Sequence, residues 1–159
     1  MRFRGDILIF RSSLLLVCTL LFGGMATAAP THFSIVVGSA LVCTDQVSSD
    51  YFNEYMQRYF GKPSLVWGGA NWWKVEEKLF NSEVQYIIVG LGQDFIGATF
   101  KDSPENLVIK LKGYLGMNFR QMEAEKWVSA TSGIIIRYYD QNTPSKLYCM
   151  GSPHSPVSY

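Results

Sequence analysis

Histidine is nearly missing from this sequence. Only His32 and His154 occur, one near the start of the chain and one among its last residues. Histidine is the commonest general acid or base near neutral pH. Without one on a firm element, a serine or cysteine nucleophile lacks the base that would activate it. There is no G-x-S-x-G run, no H-x-x-x-H, no C-x-x-C and no acidic calcium loop. Gly90, Gly92 and Gly97 follow a β-like run, but Phe95 stands where a dinucleotide fingerprint needs its third glycine. They read as a hairpin turn instead. Acidic pairs are scarce. Glu76 and Glu77 are adjacent on a strand pattern, so they point to opposite faces. Glu123 and Glu125 can share a face, beside a turn where solvation is the simpler reading. No catalytic, cofactor-binding or metal-binding residue is assigned.

Charge of one sign is also lacking. Fourteen Lys and Arg stand against 13 Asp and Glu, which gives no electrostatic footprint for nucleic acid or an anionic membrane. Long apolar runs are absent. Leu14 to Phe22 falls well short of the roughly 18–20 residues of a spanning helix. Arg2, Arg4 and Arg11 flank that run, and Ala26-Thr27-Ala28 follows it with small residues at the outer positions. Residues 1–28 therefore read as a secretory signal peptide cleaved near Ala28–Ala29, and the protein as periplasmic or secreted with no membrane span after cleavage. Val17 before Cys18 argues against a lipidation site there, where a small residue is needed. Cleavage removes three of the 14 basic and one of the 13 acidic side chains, leaving 11 and 12.

Cysteine is scarce as well, at three residues. Cys18 leaves with the signal. Cys43 and Cys149 remain, and an even count in an exported chain reads as a disulfide.

Against these absences, one stretch is rich in pattern. From Ser48 to Val75 the chain reads as a capped amphipathic helix running into an aromatic hairpin. Phe52, Tyr55, Met56, Tyr59 and Phe60 fall at helical spacing, Ser48 or Ser49 caps the start, and Gly61 with Pro63 ends it. A similar shape recurs 55 residues later. Ser103 caps it, Pro104 takes the first helical position, Leu107, Val108, Leu111, Tyr114 and Leu115 make the stripe, and Gly116 stops it. With that shift Thr44, Ser48, Tyr59, Gly61 and Trp72 fall on Thr99, Ser103, Tyr114, Gly116 and Trp127. The halves read either as two β-α-β-β pseudo-repeats or as a coincidence of element order.

Elsewhere the patterns are of strands. Thr31 to Cys43 is apolar and β-branched and reads as the first strand. Strands follow at Ser64–Trp67, Trp72–Leu79, Val84–Val89, Phe95–Phe100, Asn118–Met122, Lys126–Ala130, Ile134–Tyr139 and Lys146–Met150. Gly68 to Asn71 and Asp140 to Pro144 read as turns. Short turns demand antiparallel pairing, and two helices cannot cover both faces of a sheet. The expected fold is α+β: a mainly antiparallel sheet packed by two helices, one domain over 29–150, with a loose tail at 151–159 holding Pro153 and Pro156.

Aromatic residues are abundant: four Trp, nine Tyr and ten Phe. Trp72 and Trp73 are consecutive on a strand, so one faces the core and the other faces away. An outward aromatic face marks a binding patch. Trp67, Trp72, Trp73 and Trp127 are the candidate binding residues. The expected function is a non-enzymatic exported module, of the inhibitor or immunity kind, for a protein or cell-envelope component. A small envelope hydrolase using carboxylates assembled by the fold is the alternative. The signal segment carries its own test: N-terminal sequencing of exported protein should begin at Ala29 or Pro30, and a chain still starting at Met1 would refute cleavage.

Overall fold

The computed structural model describes residues 29–151. The expected signal segment at 1–28 and the tail at 152–159 lie outside the described residues. Three helices, α1 (Phe33–Leu41), α2 (Ser49–Phe60) and α3 (Pro104–Leu115), accompany eight strands. These are β1 (Leu65–Trp67), β2 (Ala70–Leu79), β3 (Ser82–Gly90), β4 (Phe95–Phe100), β5 (Phe119–Glu123), β6 (Lys126–Ser129), β7 (Ile134–Asp140) and β8 (Thr143–Met150). All pairs are antiparallel, in one sheet of order β1-β2-β3-β4-β8-β7-β6-β5. The fold is the α+β antiparallel sheet that the turn spacing requires.

Two details differ from the sequence reading. Thr31 to Cys43 is not a strand; its middle is helix α1. An unbroken apolar, β-branched run satisfies both periods, so only packing decides. Phe33, Val37, Ala40 and Leu41 form a helical stripe that is fully buried, and Gly38 lets the Phe80 ring approach to where a Cβ would lie 3.3 Å from it. The sheet is thus packed by three helices, and the repeating unit is α-β-β-β-β, with α1 outside it. The turns are also tighter than expected. Gly68-Gly69 alone turns the β1–β2 hairpin, both at positive φ, so Ala70 and Asn71 already pair. Pro144 lies within β8, where the β7–β8 register shifts.

The halves match in order. α2 and α3 are each 12 residues long, begin after a serine and end at a glycine. Ser48 accepts a hydrogen bond from the Tyr51 amide and Ser103 from the Asn106 amide. Reversing the strand order exchanges β1–β4 with β5–β8, so the halves are related by a pseudo-two-fold at the β4–β8 pair.

All three helices lie on one face of the sheet. Their buried residues join Trp73, Val75, Ile87, Val89, Ile96, Ala98, Phe100, Trp127, Ile135 and Leu147 in one core. α2 is pinned by polar contacts at its start: Asp94 accepts from the Ser49 amide at 2.9 Å, and Ser49 Oγ donates to the Gln93 carbonyl. Trp73 Nε1 donates to the Gly61 carbonyl at 2.9 Å. α3 is held by Arg137 on Glu105 and by Lys110 on Asp102 at 2.7 Å. Burial pushes the Asp102 carboxyl up, but the hydrogen bonds from Lys110 and Ser82 outweigh it and hold the group below its ordinary range. No helix among the described residues is long and apolar enough to cross a membrane.

The helix that the sequence did not announce is tethered at both ends. The Ala29 amide donates to Glu77 Oε1 at 3.2 Å, and Cys43 is bonded to Cys149 of β8, with Cα atoms 5.4 Å apart across 106 residues of sequence. A loop of roughly that length is stabilised by up to about 4–5 kcal/mol in the chain-entropy model. Free-thiol titration of unreduced, denatured protein should find neither Cys43 nor Cys149. The Cys43→Ala/Cys149→Ala variant should unfold at lower denaturant, with α1 amides losing exchange protection first. Unchanged protection in α1 would show that packing alone holds it.

Candidate functional site

Strand alternation sorts every residue of the sheet to the helix side or to the other side. The other side carries no helix. Its residues follow from the register. One row runs Leu65, Trp72, Ile88, Gly97, Tyr148, Ile134, Val128, Arg120 across all eight strands. The next runs Lys74, Tyr86, Thr99, Lys146, Ile136, Lys126, Glu123. Among the described residues this face remains open, and Ala70, Trp72 and Ile88, with Tyr86 and Phe95, form a small apolar cluster on it.

The four tryptophans divide evenly between the faces. Trp73 and Trp127, 2% and 7% exposed, are part of the core under the helices. Trp67 and Trp72 are on the open face and touch edge to face, ring centroids 5.9 Å apart. They differ in exposure: Trp72 is 7% exposed, whereas Trp67 is 61% exposed. Trp72 is covered by its own neighbours rather than by a second layer. Tyr86 meets it at 6.0 Å, and its indole N–H donates to the Trp67 carbonyl at 3.1 Å. Trp72 is thus the floor of the site and Trp67 its rim.

The floor is completed by Tyr138, which with Tyr139 repeats the consecutive-aromatic pattern of Trp72 and Trp73, and by Lys146, which no sequence pattern singles out. Lys146 Nζ lies 3.7 Å from the centroid of the Tyr138 ring and 4.7 Å from that of Trp72. Both ring faces are negative and hold the ammonium. Burial pushes the Lys146 pKa down. Among the described residues no carboxylate lies within ion-pair distance of it. Beside it opens a cleft of about 310 Å³ touched by Trp67, Trp72, Tyr86, Thr99, Thr143 and Tyr138. These come from β1, β2, β3, β4, β8 and β7. Five inter-strand steps of about 4.8 Å would set β1 and β7 roughly 24 Å apart on a flat sheet. One cleft that size reaches both only because the face is concave and the long side chains lean inward. Asp140 closes one end of the cleft, its carboxylate accepting from the Asn142 amide at 2.9 Å and Thr143 Oγ1 at 3.1 Å.

Three carboxylates do come together elsewhere: Glu76, Glu77 and Glu83 line a hollow of about 380 Å³ with Lys74, Lys78 and Lys101. The register shift between Lys74 and Glu77 breaks the alternation that would set the first two on opposite faces. Glu123 pairs with Lys126 at 3.7 Å, and Glu125 accepts from the Tyr139 hydroxyl at 2.8 Å, so the two acids on that turn are engaged separately. Glu83 is bound by Lys101 at 2.5 Å, and this bond holds its pKa low. A hollow of about 560 Å³ beside the disulfide has Asp45 as the one ionisable side chain in its lining. His32 stacks edge-on against Tyr55 and Tyr59 at 5.7 and 5.5 Å. Burial and the neighbouring tyrosines raise the Tyr55 hydroxyl to about 12, so it stays protonated. Among the described residues no group of three metal-ligating side chains comes together.

No family model matches the chain, and neither a curated protein nor a solved structure shows significant similarity to it.

Burial predicts how the tryptophans will respond to truncation. Trp73→Ala should cost about 3–5 kcal/mol of stability, because it leaves a large cavity beneath α2. Trp72→Ala should cost less, since part of its cover can collapse. Trp67→Ala should leave the unfolding midpoint nearly unchanged in chemical denaturation. A loss at Trp67 as large as that at Trp73 would make the rim a structural element instead of a free surface.

Proposed function

We propose that the mature chain is an exported, non-enzymatic binding module that engages a protein or cell-envelope component with the concave face of its sheet. An inhibitor or immunity-type protein works in this way. One observation carries the proposal: on a sheet covered by helices on one side only, the uncovered side has an aromatic-lined cleft with a large exposed indole, Trp67, at its rim. Aromatic side chains bury much area at little entropic cost and recur as anchors of interfaces. A large apolar surface left open to water is costly unless something meets it. Export is supported by the Arg-flanked apolar run before Ala26-Thr27-Ala28 and by the Cys43–Cys149 bond, which persists in oxidising compartments.

The test is a capture experiment from envelope extract with the exported protein as bait. Proteins retained by the wild type should be lost with Trp67→Ala, while Tyr139→Ala, an exposed aromatic outside the cleft, should retain them. Retention of every partner by Trp67→Ala would remove the concave face from consideration.

A further inference from the structure

Glu77 is a carboxylate in an unusual place. Past the register shift in β2 it pairs with Val84, and Val84 belongs to the core under the helices. Cross-strand partners share a face, so Glu77 stands on the helix side of the sheet, half-buried. A carboxylate drawn partly out of water needs a cation or several donors. Lys74, Lys78 and Lys101 line the hollow beside it, yet among the described residues no lysine, arginine or histidine lies within ion-pair distance of it. Lys101 is taken by Glu83 at 2.5 Å. Among the described residues Glu77 accepts one hydrogen bond, from the backbone nitrogen of Ala29 at 3.2 Å. Ala29 is itself placed: it packs against the core, and after it the Pro30 carbonyl accepts from the Phe33 amide at 2.8 Å to start α1. Helix α1 has no side-chain cap and no acid in its first turn, so this contact holds its start from outside.

We infer that Glu77 is the binding site for the α-ammonium of the processed chain, and that cleavage between Ala28 and Ala29 supplies the cation that Glu77 lacks. This rests on the reading of residues 1–28 as a cleaved signal segment. The nitrogen that faces Glu77 is the atom that such a cut frees. Water adds across the peptide bond and leaves a carboxylate on Ala28 and an ammonium on Ala29, with no net proton. The uncut chain offers Glu77 a neutral N–H; the cut chain offers a charged donor, whose hydrogen bonds to a carboxylate are roughly twice as strong. The geometry also chooses between neighbouring cleavage points. A cut one residue later removes Ala29 together with its contact and leaves the charge on Pro30, one residue farther along. Processing and folding are thereby coupled. The disulfide fastens α1 at its end, and the ion pair fastens it at its start once the signal segment is gone.

Intact mass of the exported protein comes first, and it should give a chain beginning at Ala29. A start at Pro30 would overturn the inference and leave export standing; a start at Met1 would remove both. A double-mutant cycle in chemical denaturation then measures the pair. One change is Glu77→Gln. The other inserts Gly-Ser between Ala28 and Ala29, so that the exported chain, checked by mass, carries its ammonium two residues away from Glu77. Each alone should lower the folding equilibrium constant roughly fivefold, and the insertion should cost nothing further in the Glu77→Gln chain. Fully additive losses, or no loss from the insertion, would overturn the inference. A third measurement needs no variant. Titration of the Ala29 α-amine by NMR in the exported protein should find its pKa above the ordinary range of about 7.7–8.0, because a facing carboxylate favours the charged form. Lys74, Lys78 and Lys101 in the adjoining hollow act against that rise, and Glu76 and Glu83 act with it. An ordinary or lowered value, or a raised one that survives Glu77→Gln unchanged, would assign the amine to solvent or to other acids and refute the site.

Discussion

The ladder between β4 and β8 is the contact on which the rest of this molecule depends. Each half, taken alone, is a helix on a four-stranded sheet with two bare edges, one of them β4 or β8. Pairing Phe95 with Met150 through Phe100 with Ser145 joins those edges and makes one eight-stranded sheet. The inward residues of the seam, Ile96, Ala98, Phe100 and Leu147, are entirely buried. They lie where the helices converge: α1 contacts both β4 and β8, α2 reaches β4, and α3 reaches β8. The disulfide is at the same seam, since Cys149 pairs with Ile96 across the ladder. Non-local pairing of this kind carries a large loop-closure cost, and the covalent tie from α1 to β8 offsets part of it.

The same seam explains why the site is on the other side. Every inward residue of a strand has outward neighbours. Ala98 and Leu147 go into the core, so Thr99 and Lys146 go to the open face beside one another. Because the helices all gather on one side, the open face can curve without a layer to resist it. The curvature brings Trp72 of β2 and Tyr138 of β7 against a lysine of β8. The sheet edges differ in character too. β5 carries Arg120, Glu123 and a register shift, features that discourage strand addition, while β1 exposes Leu65, Val66 and Trp67.

Much of this was legible one element at a time. The stripes of α2 and α3, their serine caps and their terminal glycines are local signals, and they placed both helices. Local alternation placed most strands and required Trp72 and Trp73 to face opposite ways. The disulfide follows from the even cysteine count that is left once residues 1–28 are read as a signal segment. What could not be read was whatever depends on two distant segments. Residues 33–41 suit a strand by composition, and only contacts with Phe80 and the sheet make them a helix. Trp127 was grouped with Trp67 because its face is set by a register running from β6 through β7 and β8 to β4. Lys146 gives no sequence signal for the same reason. In sequence it is one polar residue in an ordinary strand, and strand order alone brings it, with Tyr138, to Trp72.

Lys146 shows how packing and function share one position. A lysine on the helix side of β8 would enter a dry core and face a desolvation cost that no neighbour offsets. On the open side its four-carbon stem can lie along the Trp72 and Tyr138 rings while the ammonium stays within reach of solvent. A hydrophobic residue there would cover the same rings and leave the face more adhesive toward itself. The lysine instead covers the rings with its stem and keeps a solvated charge at the centre of the face. The aromatic floor therefore supplies apolar area, and the ammonium at its centre keeps that area partly polar.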